Sequence, residues 1–572
     1  MEETDQSPNK RLRLYSLASY VIWLITGGIY IWHYGRVKRA PLPHAGVRAL
    51  KARIDHFLSG PGLPAQISIF PACDDAVTMA RGLAEALRDH VSKNGTRRVP
   101  PLVIGDVAAA VSGECMSHKE ALEDASGHDD ALWTQSGADS LVANYSVLVR
   151  IASGEEEQLP ALYLTPGTSC IVTLPQGFIN SPQWKGVTDT LLAAWFTTVG
   201  EPSIPLSASY TLAFWTTTDS PQRIRWPGSF HESVLRPYLS PFLSRLSTCY
   251  WLEMQAQTIY HASLGEQPKP QREKGTTRER VVAFNDLSRF LAAANDWTTD
   301  AVLTRGTHKP PVILNLASMK PSGAPVVVLT QSGEPHTAFS VPGWGVMAIM
   351  SHPVPDDQLS RNATWRRQVA RSGYELTDTD ARETAGLWLS HFRKWLGFPN
   401  VTNTTTPINI DHHSPPLAKA SMAAPSTNGI ATWELLALAN TLLQLFLREI
   451  SENLTAVESL ISSLPDLTVE QRIAESINHI LRMATDALNA IERGERDLGR
   501  LLGGIRSGYQ DSVETLHDDS MMADLYFSPE FKFAVYLPML VPIAVPVLLT
   551  AGKELMTWRR ERAEKTTKVK PE

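Results

Sequence analysis

The chain has 572 residues, of which 43% are hydrophobic and 20% charged, and its formal net charge is −6 at pH 7. This composition is typical of a globular protein with two to four domains. A weakly acidic balance spread over this length argues against nucleic acid as the main partner, because surfaces that bind nucleic acid are strongly basic.

The first apolar segment covers residues 14–35 and follows a short polar tail at residues 1–13. It contains no Asp, Glu, Lys or Arg, and it closes with aromatic residues of the kind found at membrane interfaces: Tyr30, Trp32 and Tyr34. The apolar run is longer than the core of a usual signal peptide, and no A-x-A-like cleavage site precedes Arg36. These features favour an uncleaved signal anchor that forms a first transmembrane helix; a cleaved signal peptide is the alternative.

The middle of the chain, residues 36–428, has the pattern of a mixed α/β domain. From Tyr145 onward, alternating or β-branched runs such as SVLVRIA, SCIVTLP, YTLAFWTT and WGVMAIM predict strands. Because helices and strands do not alternate strictly, we expect a mixed sheet rather than a wholly parallel one. The Pro- and Ser-rich run at 399–429 predicts a linker or a long surface loop. Helical patterns are found at Asp74–Ser92, Trp184–Thr198, Glu232–Ser247, Asn285–Asn295 and Asp378–Trp395.

Residues 429–525 carry helical patterns and predict a C-terminal hairpin or small bundle. The first of these helices has an apolar stripe formed by Leu435, Leu438, Leu442, Phe446 and Val457. Thr468 and Gln471 have the spacing of a capping box for a second helix, which is predicted to end near Gly494. A third helix, interrupted by glycines, then leads toward the end of the chain.

The second apolar segment, residues 533–552, is free of charged residues and contains three prolines at a spacing of four: Pro538, Pro542 and Pro546. About 20 apolar residues suffice to cross the hydrocarbon core of a bilayer. Each proline removes a backbone donor, and lipid offers nothing to replace it. The spacing places all three on nearly one stripe of a helix. We therefore expect this second transmembrane helix to pack against other membrane helices or a protein-lined lipid pocket; a plain tail anchor is the alternative.

Charge asymmetry around the second segment predicts the topology. The tail at residues 553–572 is rich in Lys and Arg, whereas the residues before the segment are mostly acidic, so the C-terminus should be cytoplasmic. Two spans then put both termini in the cytoplasm and the bulk of the chain in the lumen. Four sequons in loop-like sequence become candidate N-glycan sites: Asn94, Asn362, Asn400 and Asn403. A further sequon, Asn453, lies on the apolar stripe and should be buried and unmodified.

No signature of catalysis, cofactor binding or metal binding stands out. GxSxG, GxxxxGK[ST], HExxH and a strand-bound GxGxxG are all missing from the sequence. Cys115 and His118 are close in sequence, but a nucleophile and its base meet through the fold, so adjacency adds little. The run Asp411–His413 could supply metal ligands, yet it lies in a predicted loop without a rigid frame. We expect no catalytic, cofactor-binding or metal-ligating residues.

Four cysteines are present, and none has CxxC spacing. In an oxidising lumen they could form two disulfides in any of three pairings. One disulfide with two buried free thiols fits the sequence equally well.

Several segments resemble the PIG-S family, whose members are subunits of the GPI transamidase complex. The most specific is LYFSPEFKFAVYLPMLVPIAVPVLL, with its ordered prolines and aromatics. Other similar stretches are VKRAPLP, LRPYLSPFLSRL, QTIYHASLG, FSVPGWGVMAIM with the sequon at Asn362 after it, and GIATWELLALA. The resemblance covers nearly the full length with the family's two-span layout, and it is weakest in the segments before Tyr145 and in the charged loop after Gly265.

The resemblance implies a non-catalytic structural or assembly subunit in the endoplasmic-reticulum membrane that supports attachment of GPI anchors to proteins. Its partners would be a separate caspase-like catalytic subunit, a β-rich subunit, an aminopeptidase-like subunit and a multi-spanning subunit, together with membrane lipid. Two other classes stay open: a free-standing, membrane-anchored lumenal enzyme such as a glycan or ester hydrolase, and a cell-surface adhesion or receptor module.

Overall fold

A computed structural model gives the fold of the chain. It describes residues 15–16, 18–23, 26–27, 30, 40–60, 63–93, 102–108, 111, 141–152, 160–178, 184–196, 199–218, 224–225, 229–260, 269–270, 280–282, 312–320, 326–329, 335–341, 344–350, 374–375, 377–399, 419–422, 429–464, 469–518 and 529–567. These residues divide into two compact units. The smaller unit comprises Met1–Val47, Glu452–His479 and Ser512–Glu572, and the larger comprises Arg48–Ser451 and Ile480–Asp511.

The described strands all lie in the larger unit. In chain order they are β1 (Ala65–Pro71), β2 (Leu102–Ile104), β3 (Asn144–Ile151), β4 (Ala161–Leu164), β5 (Ser169–Leu174), β6 (Ser209–Thr218), β7 (Ile224–Arg225), β8 (Trp251–Tyr260), β9 (Lys269–Pro270), β10 (Arg280–Val282), β11 (Val312–Lys320), β12 (Val326–Leu329), β13 (Pro335–His336), β14 (Ala338–Val341), β15 (Gly345–Ile349), β16 (Tyr374–Glu375) and β17 (Lys419–Met422).

The helices described over their full length are α1 (His44–Ser59), α2 (Val77–Lys93), α3 (Trp184–Phe196), α4 (Ser240–Leu246), α5 (Asp378–Trp395), α6 (Thr432–Ser463), α7 (Gln471–Glu492), α8 (Leu498–Leu516) and α9 (Pro529–Thr567). A 3₁₀ turn, Asp74–Ala76, leads into α2, and a π-helix, His231–Leu239, leads into α4.

The first large sheet has six strands in the order β17-β4-β5-β3-β1-β2. Its pairs are parallel except β4–β5, which form an antiparallel pair. Every residue of β5 is buried, as expected for a strand inside a sheet with both faces covered. Helix α2 packs against β1 and against α3. At the α2–α3 contact, Gly82 lets the Trp184 ring approach to 3.0 Å from where a Cβ would lie.

The second large sheet has five strands in the order β14-β15-β11-β6-β8, parallel except for the β14–β15 pair. Helix α5 covers it: the Trp388 ring packs 5.6 Å from Phe214 and 5.7 Å from Phe230, and its Nε1 donates to the Ala317 carbonyl at 3.1 Å. Two smaller sheets have the orders β13-β12-β10-β9 and β16-β7.

Local chemistry explains where α5 begins. The Thr377 side chain accepts a hydrogen bond from the Asp380 backbone N–H, and the Asp380 carboxylate accepts the Thr377 backbone N–H at 2.7 Å. This reciprocal capping box satisfies two donors that the first helical turn leaves without intrahelical partners. The predicted helix Asp378–Trp395 is therefore confirmed in both bounds.

The mixed α/β class is confirmed, and the quoted strand patterns from Tyr145 onward all form strands. Strands β1 and β2 lie before Tyr145, in a part of the chain for which no strand was predicted from the sequence. The apolar positions of β1, Ala65, Ile67 and Ile69, alternate as a strand requires, so this signal was present in the sequence. The predicted linker 399–429 is wrong in part. It contains β17, which pairs with β4 and whose short KASM sequence gives no pattern of its own.

The helical C-terminal region is confirmed, with α6, α7 and α8 where helices were predicted. Helix α7 ends at Glu492, and Gly494 follows in the left-handed region at φ +85°, where glycine is favoured. Within the larger unit, the Tyr509 ring stacks on Phe446 at 4.7 Å, and its hydroxyl donates to the Leu206 carbonyl at 3.0 Å. The Thr468 cap and the predicted helix at Asn285–Asn295 lie outside the described residues.

The smaller unit has its own polar contacts. The Asn453 amide donates to the Ser512 hydroxyl at 3.1 Å, and Arg472 forms two short hydrogen bonds to the Asp518 carboxylate. Asn453 is half-buried, so the expectation that it is buried is only partly met. It lies on the flank of the apolar stripe, where a polar amide finds a hydroxyl partner.

The two predicted transmembrane helices are not confirmed. In the part of the chain that the structure describes, no helix combines the length and apolarity that a membrane crossing needs. Residues 15–16, 18–23, 26–27 and 30 are helical, and α9 is longer than the predicted second span because it continues to Thr567.

Candidate functional site

The described residues hold few groups suited to catalysis. They contain no group of three or more His, Cys, Asp or Glu side chains arranged to hold a metal ion. The free thiols of Cys170 and Cys249 are both buried. Burial raises the pKa of the Cys170 thiol well above its usual range, and it raises the pKa of Cys249 to about 12. A thiol with a raised pKa holds its proton at neutral pH and is a poor nucleophile.

The remaining chemical candidates are not brought together. Cys73 is disulfide-bonded, and Cys170 and Cys249 are buried free thiols. Of the two arrangements considered from the sequence, this is the one with a single disulfide. Cys115, His118 and the run Asp411–His413 lie outside the described residues. So do the four candidate glycosylation sites: Asn94, Asn362, Asn400 and Asn403.

The three prolines of the second apolar segment lie inside α9, and the helix continues through all of them. Pro538, Pro542 and Pro546 are exposed in the isolated chain. Large apolar side chains of the same helix are exposed too: Leu537, Val541, Val545, Leu548 and Leu549. That this surface contacts partner helices stays a prediction.

The most elaborate polar site in the described chain is a buried ion pair between the last turn of α5 and the first turn of α6. The guanidinium of Arg393 donates to both carboxylate oxygens of Glu434, at 2.6 and 3.1 Å. The Glu434 side chain is 1% exposed and that of Arg393 is 18% exposed. Arg393 also donates to the carbonyls of Gly429 and Pro399, at 2.7 and 3.2 Å. The pair is therefore bidentate and largely excluded from water, and Arg393 makes further hydrogen bonds outside the pair. A buried ion pair is tolerated only when these conditions are met.

The same carboxylate caps α6. Glu434 accepts the Ala431 backbone N–H at 2.8 Å, as the third residue of a helix does in a capping box. The next two N–H groups, of Thr432 and Trp433, donate to the carbonyls of Pro166 and Gly167 in the β4–β5 turn, at 2.7 and 3.3 Å. The Thr432 hydroxyl accepts from Arg245 of α4 at 3.0 Å. We call this set of contacts the α5–α6 junction.

A second buried polar site lies in the five-stranded sheet. The Trp215 indole N–H donates to the Asn315 side-chain oxygen at 2.9 Å, and the Asn315 amide donates to the Trp344 carbonyl at 3.1 Å. Gly345 follows at φ +149°, where an added Cβ would lie 2.0 Å from the Asn315 carbonyl oxygen. Only glycine fits there without backbone movement. Both sites fix the fold, and neither has the arrangement of a catalytic centre.

Sequence inspection missed the α5–α6 junction as a site. Its signal was present in GIATWELLALA, because Glu434 stands three residues after Ala431, the spacing of a capping-box acid. The partner, Arg393, is 41 residues away in the chain and could not be found by spacing. The segments GIATWELLALA and FSVPGWGVMAIM, which carry part of the PIG-S resemblance, are the ones that contribute to these two buried polar sites.

We predict that Glu434→Leu lowers the free energy of unfolding by about 3–5 kcal/mol, because it leaves the Arg393 charge buried without its partner. The double variant Arg393→Met with Glu434→Leu should recover at least half of that loss. The control is Arg382→Met, which removes an exposed ion pair with Asp378 and should cost less than about 1 kcal/mol. Urea unfolding followed by tryptophan fluorescence measures all three. Equal midpoints for Glu434→Leu and Arg382→Met would contradict the prediction.

The sequence was compared with known proteins. The family profile described as "Phosphatidylinositol-glycan biosynthesis class S protein" matches residues 18–561. Curated relatives named "GPI-anchor transamidase component PIGS" are 24% identical over 344 residues in Bos taurus and 24% over 359 residues in Rattus norvegicus, matching 59% and 61% of this chain. The Homo sapiens relative of that name is 23% identical over 348 residues. The chain spans 55% to 58% of the length of these relatives. Because the family match runs through nearly the whole sequence, the chain belongs to the PIG-S family.

Proposed function

We propose that this protein is a non-catalytic assembly subunit of a GPI transamidase complex, which attaches GPI anchors to proteins in the endoplasmic reticulum. The observation that carries the proposal is the family match over residues 18–561, which reaches from the first apolar segment into the basic tail. The curated relatives are themselves named as components of the transamidase. A component of a complex implies other subunits. The resemblance suggests a caspase-like catalytic chain, a β-rich chain, an aminopeptidase-like chain and a multi-spanning chain.

The non-catalytic role is supported by the chemistry of the described residues. The two described free thiols are buried and hold their protons, and the Arg393–Glu434 and Trp215–Asn315 pairs are engaged in structural hydrogen bonds. The rival proposal, a free-standing lumenal hydrolase, needs an accessible nucleophile or acid–base pair, and its remaining candidates lie outside the described residues. We therefore favour the assembly role.

We further propose that residues 14–35 and 533–552 cross the endoplasmic-reticulum membrane, with both termini cytoplasmic and the bulk of the chain lumenal. The charge-free runs and the basic C-terminal tail support this arrangement. The disulfide at Cys73 also supports a lumenal location, since disulfides persist mainly in oxidising compartments.

For α9 we propose that the stripe of Pro538, Pro542 and Pro546 faces membrane helices of other subunits or a protein-lined lipid pocket. Each proline deprives the carbonyl four residues earlier of its helical donor. An unpaired polar group in hydrocarbon costs on the order of 2–7 kcal/mol before relaxation. Partner side chains or trapped water offset this cost more easily inside a bundle than in bulk lipid.

The assembly role predicts that variants lacking any one of three cysteines stay active. Cells lacking the protein should regain surface GPI-anchored proteins when they express Cys115→Ala, Cys170→Ala or Cys249→Ala. The control for each variant is the amount of complex recovered in mild detergent, which must equal that of the wild type. Loss of transamidation with full recovery of the complex would show that the chain contributes a catalytic thiol.

The proline stripe is tested by replacing all three prolines with leucine. We expect this variant to reach the membrane with normal topology but to recover fewer partner subunits, because the helix loses the bend and the unbonded carbonyls that prolines introduce. A matched control replaces Val541, Val545 and Leu549 with other apolar residues, which keeps both the hydrophobicity and the prolines. Normal recovery of the complex, together with normal activity, would support a plain anchor instead.

The topology is tested in sealed microsomes. Added protease should trim both terminal tails and spare the middle of the chain. Asn362, the sequon shared with the family resemblance, should carry a glycan, so Asn362→Gln should migrate faster by the mass of one glycan. A protease-protected C-terminal tail, or an unchanged band for Asn362→Gln, would contradict the respective part of the proposal.

A further inference from the structure

Exposed large apolar side chains are concentrated in few places of the described chain. Most belong to the two apolar end segments and to α9 as a whole. Outside them, Val103 and Val111 lie at or beyond the short β2, and Trp251 and Met254 lie on β8, where they are 42% and 49% exposed. Single exposed apolar residues are normal on a protein surface, whereas two on one strand can indicate an interaction site.

Strand β8 is an edge of the five-stranded sheet. It pairs in parallel with β6 over all ten residues, from Ser209–Trp251 to Thr218–Tyr260, and no other described strand pairs with it. The Trp251 N–H donates to the Ala208 carbonyl, toward β6. Backbone groups of a parallel strand alternate in direction. The outward-facing N–H and C=O groups therefore belong to Leu252, Met254, Ala256 and Thr258.

This edge lacks the devices that usually protect one. Natural edge strands are short, bulged, interrupted by proline or lined with charges that repel an added strand. The β8 sequence WLEMQAQTIY has ten residues, an unbroken register with β6, no proline and a single charge, Glu253. Residues 254–258 are all exposed, on both faces of the strand. An edge of this kind is a template for strand addition.

A positive charge stands at one end of the same edge. The guanidinium of Arg506, from α8, lies 4.5 Å from the centroid of the Trp251 ring. Its Nε and Nη1 atoms are buried and have no hydrogen-bond partner, and no described acidic side chain pairs with it. Burial lowers the pKa of Arg506, and the guanidinium keeps its charge, as arginine does throughout proteins. Arg506 as a whole is half-buried, but two of its N–H groups are buried without an acceptor, and a carboxylate placed beside Trp251 would supply one.

We propose that β8 is completed by a β-strand of another subunit, one that carries an Asp or Glu beside Trp251 to pair with Arg506. The inference rests on the proposed role as a subunit of the complex and names one surface that the role uses. Backbone hydrogen bonds along Leu252–Thr258 supply the affinity, and the carboxylate fixes the register. The spacing of about 4.8 Å between neighbouring strands brings a side chain of the added strand within reach of the guanidinium.

Backbone-specific variants in the full-length chain test the edge. The double variant Met254→Pro with Ala256→Pro removes two outward N–H groups and leaves the bonds to β6 intact. We expect it to lower recovery of at least one partner subunit from mild detergent tenfold or more. The control Met254→Ala with Ala256→Ser changes side chains but keeps both N–H groups, and should lower recovery less than twofold. Full recovery with the proline pair would overturn the proposal.

Charge variants at Arg506 and photo-crosslinking provide a measurement that does not depend on tolerance of proline. Arg506→Glu should lower recovery tenfold or more, and Arg506→Lys less than threefold. Crosslinkers at Met254 and Thr258, about 13 Å apart along the strand, should attach to one partner segment at positions four residues apart. That segment should contain Asp or Glu at its Trp251 end. Adducts to lipid, to this chain itself or to unrelated segments would overturn the proposal.

The wild-type chain separates this inference from the proposed function. If it recovers no stoichiometric subunits, the assembly role fails. If it recovers them, and the proline pair and Arg506→Glu recover them equally well, only the strand-addition inference fails.

Discussion

The ion pair between Arg393 and Glu434 is the interaction on which the organisation of the larger unit depends. It is formed by the last turn of one helix and the first turn of another, where the helix dipoles favour a cation and an anion respectively. Because Glu434 is almost fully buried, its charge is tolerated only while Arg393 and the Ala431 N–H stay in place. The ion pair thereby ties the covering helix of the five-stranded sheet to the start of the C-terminal helices.

The same junction reaches the six-stranded sheet. The first N–H groups of α6 are satisfied by carbonyls of the β4–β5 turn, so the helix begins where that sheet offers acceptors. Helix α6 then runs for 32 residues from this point. One polar cluster thus connects both large sheets with the start of α6, which is a scaffolding arrangement. A scaffold of this kind holds surfaces in place, as the proposed assembly role requires.

The surfaces that such a scaffold would present differ in chemistry. Helix α9 exposes apolar side chains and interrupts its own hydrogen bonding with three prolines. Strand β8 exposes a backbone edge and lies beside a guanidinium with no described acidic partner. The first is suited to lipid and membrane helices, and the second to an extended segment in water. At both surfaces a second chain could supply hydrogen-bond partners, to the carbonyls that lose a helical donor to proline and to the outward N–H groups of β8.

Periodicity and turn chemistry in the sequence determined the mixed α/β class, the strands after Tyr145, the α5 bounds and the helical C-terminal region, because those signals are local. The proline stripe and the PIG-S resemblance could likewise be identified from the sequence alone. Only the tertiary structure decided that Arg393 meets Glu434, that KASM becomes a strand beside β4, and that β8 is an edge rather than an interior strand. Each of these depends on a neighbour tens to hundreds of residues away, and no local pattern specifies such a neighbour.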